Sequence, residues 1–242
     1  MHIGLIGGIG VAATAVYYQR LVAAVARREA PRLDLTIVHG DVHELIRNNL
    51  ADLRDEQARA FLPLLERLRD AGCDCAALTS LGGHFCFQEL ARISPLPLVS
   101  GVSPLDGYFA RKGIRRVGLL GTRVVMRTRL YGQLERTEAI ALDDEIDAVG
   151  QTYQEVAVAG ECSGQQREFF IAAGRRLIAA GAEAVVLAGT DLNLAFDGQE
   201  PGYPVIDALD VHVEVLADLA SGKRSPGDPR LQAKMTPSST AE

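Results

Sequence analysis

Residues 3–7 read Ile-Gly-Leu-Ile-Gly and residues 117–121 read Val-Gly-Leu-Leu-Gly, the same short apolar strand ending in glycine, present twice in one chain. Working outward, the correspondence continues. At the same offset Thr14 answers Thr128 and Tyr17 answers Tyr131. Further on, Arg67-Leu68-Arg69-Asp70-Ala71-Gly72 answers Arg176-Leu177-Ile178-Ala179-Ala180-Gly181, and Asp74–Leu78 answers Glu183–Leu187. Leu96-Pro97-Leu98-Val99-Ser100 then answers Tyr203-Pro204-Val205-Ile206-Asp207. Self-similarity of this kind marks one structural unit made more than once.

Each half reads strand, glycine turn, helix, then a second helix with Gly just past its end, then another strand. Short apolar runs alternating with amphipathic helices are the pattern of parallel βαβ units. The helical period is explicit over Asp55–Ala71, where Phe61, Leu64, Leu65 and Leu68 share a face and Gly72 follows the end. The reading is therefore α/β, with two pseudo-symmetric lobes, each a mostly parallel sheet flanked by helices. We assign residues 1–97 plus 207–222 to the first lobe, 98–206 to the second, and 223–242, rich in Pro, Ser and charge, to a flexible tail. Ligands of open parallel sheets bind beyond the carboxyl ends of the strands. Those ends are Gly7–Gly10 and Ser80–His84 in one half, and Gly121–Thr122 and Gly189–Asp191 in the other.

Composition excludes several classes. The 242 residues carry 25 Lys+Arg against 31 Asp+Glu, a net charge of −6, and are 48% hydrophobic and 23% charged, as in ordinary globular chains. An acidic balance without a basic cluster argues against a nucleic-acid or anionic-membrane partner. No apolar run approaches the ~20 residues of a membrane span. The opening residues form a strand and turn rather than a secretory leader, so a cytoplasmic location is expected. Cys73, Cys75, Cys86 and Cys162 suggest neither a disulfide framework nor a zinc site, since Cys73 and Cys75 are spaced C-x-C. No metal is expected.

Gly8-Ile9-Gly10-Val11-Ala12-Ala13 fits G-x-G-x-x-A after a strand, the dinucleotide fingerprint. The acidic residue that should complete it falls too late, at Asp41. The same turn serves equally as a set of backbone N–H groups for a carboxylate. His84, after Gly82-Gly83, reads either as functional or as a satisfied half-buried histidine. His39 and His43 read as loop groups near the cleft, and His212 as a core or loop-orienting residue. Ser80 lacks the G-x-S-x-G surroundings of a hydrolase nucleophile.

The run Ile3-Gly4-Leu5-Ile6-Gly7-Gly8-Ile9-Gly10, followed by Ala13-Thr14 and Tyr17-Tyr18, resembles the start of the aspartate and glutamate racemases. So do Asp41-Val42-His43-Glu44-Leu45, Ala71-Gly72-Cys73-Asp74, Val117–Thr122, Gly181-Ala182-Glu183, and Pro204-Val205-Ile206-Asp207 with His212. The resemblance spans roughly residues 1–222. It implies two lobes and an active site between them that uses neither pyridoxal phosphate nor metal. It also implies one cysteine from each lobe, acting on opposite faces of a substrate α-carbon. Inverting a stereocentre needs a base on one face and an acid on the other, and thiols serve because their pKa can be tuned.

On the matching positions the pattern breaks. The family's C-N-T-x-H, or T-N-T-x-H in some members, falls on Ser80-Leu81-Gly82-Gly83-His84, and its G-C-T-E on Ala188-Gly189-Thr190-Asp191. Ser80 and Gly189 thus replace both thiols, and a lysine of some members falls near Ser163. A serine hydroxyl without help is a poor base, and glycine offers nothing. The resemblance makes Ser80, His84, Thr190 and Asp191 the candidate catalytic residues. Gly8, Ile9, Gly10, Leu81, Gly82, Gly83, Thr122 and Gly189 become candidate substrate contacts, with Arg47 at the rim. The expected activity is cofactor-independent, isomerase-type proton chemistry on a small amino-acid or carboxylate substrate, in a homodimer. A lyase, decarboxylase or cyclase is a diverged form of it. The alternatives are a catalytically silent carboxylate-binding homologue and a nucleotide-linked enzyme.

Overall fold

The computed structural model describes residues 1–28, 32–226 and Asp228. In the first half the strands are β1 (His2–Gly7), β2 (Asp34–His39), β3 (Cys75–Leu78) and β4 (Leu98–Val99), all parallel in the order β2-β1-β3-β4. They alternate with helices α1 (Val11–Ala26), α2 (Val42–Leu50), α3 (Arg54–Asp70) and α4 (Phe87–Ile93). Helix α5 (Pro104–Arg111) leads into the second half. Its strands β5 (Arg116–Gly121), β6 (Glu138–Ile140), β7 (Ala184–Ala188) and β8 (Val205–Asp207) repeat the same order, β6-β5-β7-β8, again all parallel. Between and after them lie α6 (Arg123–Arg127), α7 (Ile146–Ala159), α8 (Gly164–Ala179), α9 (Asn193–Phe196) and α10 (Ala208–Ala220). None of the described helices is long and apolar enough to cross a membrane.

The glycine in each repeated strand has a packing cause. A Cβ on Gly4 would lie 2.9 Å from Leu68 Cδ1, and one on Gly118 would lie 2.7 Å from Leu177 Cβ. Leu68 and Leu177 are the paired residues of the repeat, on α3 and α8, and both are fully buried. Each half thus presses a helix leucine into the gap left by a strand glycine. Helix α3 buries Gln57, Ala58, Phe61, Leu65 and Leu68, and a left-handed Gly72 (φ 84°) follows it.

Two corrections concern the chain's division. Leu98–Val99 pairs with β3 in the first sheet, so the crossing to the second lobe comes one strand later than residue 97. The repeat, which matches Leu98–Val99 to the second sheet's Val205–Ile206, already carries that meaning. Asp207 likewise pairs with Leu187 and belongs to the second sheet, whereas Leu209, Val213 and Leu216 of α10 return to the first-lobe core with Ile3, Leu5, Tyr17 and Leu21. The tail read over 223–242 lies largely outside the described residues.

Candidate active site

The carboxyl ends of β1, β3, β5 and β7 meet between the lobes, and each is followed by a loop expected at the site. Thr79 and Ser80 follow β3 and enter a short 3₁₀ turn, Gly82–Cys86; Gly189 follows β7 and enters another, Thr190–Leu192. Hydrogen bonds tie the lobes here. Thr190 Oγ1 donates to the Thr79 carbonyl at 3.1 Å, and Tyr131 Oη donates to the Leu81 carbonyl at 2.8 Å. A Cβ on Gly82 would lie 3.0 Å from Thr122 Cγ2, so these two loops touch.

Asp191 is the most unusual group in the cleft. It is 1% exposed and accepts from Ala13 N–H at 3.1 Å and from Tyr153 Oη at 3.1 Å. A carboxylate from the second lobe therefore caps the first turn of α1, where the helix dipole favours a negative charge. Gly10 (φ 137°) makes this approach possible, because a Cβ there would lie 2.5 Å from Asp191 Oδ2. Burial raises the Asp191 pKa to about 6, and the Ala13 N–H and Tyr153 hydroxyl only partly offset that cost. This carboxylate also stands where a dinucleotide pyrophosphate would sit, which opposes the nucleotide reading of Gly8–Gly10. Asp41, the other requirement of that reading, is spent capping α2 through His43 N–H and Glu44 N–H.

Two of the backbone donors expected to meet an external carboxylate have internal partners. Gly8 N–H donates to Thr14 Oγ1 at 3.0 Å and Gly83 N–H to Ser80 Oγ at 3.3 Å. Thr122 Oγ1 accepts from Val125 N–H and caps α6. His84 is fully engaged: its Nδ1–H donates to the Ser80 carbonyl at 2.8 Å, and its Nε2 accepts from Gly101 N–H at 2.9 Å. The ring stacks on Phe87, and burial lowers its pKa to about 4, so it is a neutral imidazole that holds the Ser80 loop in place. Arg47 points away, two-thirds exposed beside Glu44, and does not line the cavity. Ser163 caps α8 with Gln166 in a reciprocal pair.

Ser80, Ile9, Gly82 and Thr122 do come together, around a cavity of about 60 Å³. Its remaining wall is largely apolar, from Val42, Leu45, Ile46 and Leu50 of α2 and Ala157 of α7. Four polar residues that the motifs did not mark also line it, Asn49, Arg123, Tyr153 and Gln154. Arg123 lies across Gly150 of α7, its guanidinium held by Gln151 at 2.7 Å and Gln154 at 3.2 Å. Tyr153 fills the space beside Gly189, where the resemblance would place a second thiol: a Cβ on Gly189 would lie 2.8 Å from its Cζ and closer still to Cε2. No local signal distinguishes Tyr153, which sits at ordinary helical spacing from Val149 and Val156. Arg123 follows Thr122 directly and was within reach of the motif. Cys86 does not replace a thiol, since it is buried with Sγ donating to the Gly83 carbonyl and burial pushes its pKa up.

Comparison with known proteins agrees with this architecture. The profile of the Asp/Glu/Hydantoin racemase family matches residues 6–216, and the chain belongs to that family. Among solved structures, an aspartate racemase from Picrophilus torridus superposes with a TM-score of 0.74 at 18% identity, covering 92% of this chain and 95% of that one. A proposed Asp/Glu racemase from Yersinia pestis gives 0.73 at 24% identity, with 91% and 99% coverage. An aspartate racemase homologue from Pyrococcus horikoshii OT3 gives 0.70 at 23%, also with 91% and 99%. These likenesses establish the two-lobed α/β fold.

Proposed function

We propose that this chain is a cofactor-independent, isomerase-type enzyme. It would move a proton at a carbon beside the carboxylate of a small amino-acid or carboxylate substrate held between the lobes, by a route diverged from two-thiol racemisation. The observation that carries this reading is Asp191, a buried carboxylate joined through Tyr153 to the cavity that Ser80 lines from the opposite lobe. A carboxylate with a pKa of about 6 is poised to accept and return protons near neutrality. The loss of both thiols argues against the ordinary two-base reaction. The test is incubation of purified protein in deuterium oxide with a panel of L-amino acids and small 2-substituted carboxylates. Proton NMR should show loss of the C–H signal of at least one compound, and no loss for any would contradict the proposal.

One observation favours a second reading, a silent carboxylate-binding homologue. Asp191 already occupies the start of α1, where a ligand carboxylate was expected, so the fold is complete without a substrate. A ligand that raises the melting temperature in the same panel but shows no exchange would select this reading.

A further inference from the structure

Gly189 and Tyr153 are a matched pair. The glycine stands at a position where the family pattern places an acid–base thiol, and the tyrosine ring from α7 takes up the space that side chain would need. The ring does more than fill a gap. Its hydroxyl donates to Asp191 Oδ2 at 3.1 Å, and Tyr153 and Ser80 line the same cavity from different lobes. Of the residues lining the cavity, Tyr153 is the one bonded to the buried carboxylate. His84 lies outside the cavity lining and has both ring nitrogens committed elsewhere.

We propose that Tyr153 is the second-lobe proton-transfer residue, relaying a proton between the reacting carbon and Asp191. The inference rests on the proton chemistry proposed above. The substrate C–H bond breaks and leaves its electron pair on the carbon, where the adjoining carboxylate delocalises it. The proton goes to Tyr153 Oη as the tyrosine's own hydroxyl proton goes to Asp191 Oδ2. The phenol is neutral before and after, and the carboxylate becomes a carboxyl; the reverse sequence returns a proton to the same face. Burial makes a free tyrosinate costly, and the concerted exchange avoids forming one.

The test compares deuterium incorporation into the most reactive compound of the panel by wild-type protein, Tyr153→Phe, Asp191→Asn and Cys162→Ser. Tyr153→Phe keeps the ring that packs on Gly189, and circular dichroism and melting should confirm that it folds. Both Tyr153→Phe and Asp191→Asn should lose exchange by about 10²-fold or more, the usual effect of removing a positioned acid or base, with Cys162→Ser unchanged. Exchange by Tyr153→Phe within a few-fold of wild type would overturn the role of Tyr153 and leave the proposed function standing. Silence of the wild type across the whole panel would overturn both.

Discussion

At the residue scale, the missing side chain of Gly189 and the ring of Tyr153 form a single packing solution, and that makes a strong prediction about restoring the family's thiols. Gly189 has an ordinary extended backbone (φ −139°), so a substitution there is opposed by the ring and not by backbone strain. Gly189→Ala should destabilise the protein by about 1–3 kcal/mol, as overpacking of a filled interior does. In a Tyr153→Ala background the same change should cost much less. Urea denaturation of the two single variants and the double variant measures this coupling, and additive effects would mean that the ring yields freely. Cysteines at Ser80 and Gly189 therefore need Tyr153 reduced at the same time. The sequence motifs located Ser80, Gly189, Thr190 and Asp191, because each follows a recognisable strand. Tyr153 escaped them because its contact with Gly189 is made across the second lobe, from a helix whose spacing is that of any amphipathic segment.

Among elements, the repeat has its physical meaning in two helix-on-strand contacts that are similar but not equal. Gly118 faces Leu177 Cβ, which is fixed to the backbone of α8, whereas Gly4 faces Leu68 Cδ1, the free end of a side chain. Gly118→Ala should cost about 1–3 kcal/mol and Gly4→Ala less than about 1 kcal/mol, because a leucine tip can rotate away and a Cβ cannot. Thermal denaturation of the two variants checks the order, and an equal or reversed loss would contradict it. This is why so much of the fold could be read from residues 3–7 and 117–121: their glycines record the position of a neighbouring helix as well as the strand. The placement of β4 was harder to read. A strand of two residues, Leu98–Val99, leaves too little pattern to say which sheet it joins unless its partner in the repeat is consulted.

At the scale of the whole molecule, the lobes are closed on each other by Thr190 to Thr79, Tyr131 to Leu81 and Asp191 to α1, and buried titratable groups make that closure sensitive to pH. The raised pKa of Asp191, about 6 against an ordinary 3.8, means that its charge costs stability above pH 6. That cost is relieved as the pH falls from about 6 towards 3.8. His84 and His212 act in the opposite sense: burial lowers them to about 4 and about 3, so their contribution is whole above pH 6.5 and is lost as the pH falls through those values. In Asp191→Asn the first effect is absent. The stability of the variant relative to wild type should therefore rise between pH 4 and pH 8, by up to about 3 kcal/mol. Melting curves across that range check the trend, and a flat difference would show that the carboxylate is not buried in solution. The central claim is that this scaffold moves a proton beside a carboxylate through one positioned pair, Tyr153 and Asp191, so that exchange at the carbon outruns its inversion. It is tested most directly by following deuterium incorporation and stereochemistry together, using NMR and chiral chromatography, for whichever L-amino acid of the panel exchanges. Deuterium entering much faster than the D-enantiomer forms is the predicted result, and a D-enantiomer forming as fast as deuterium enters would contradict it.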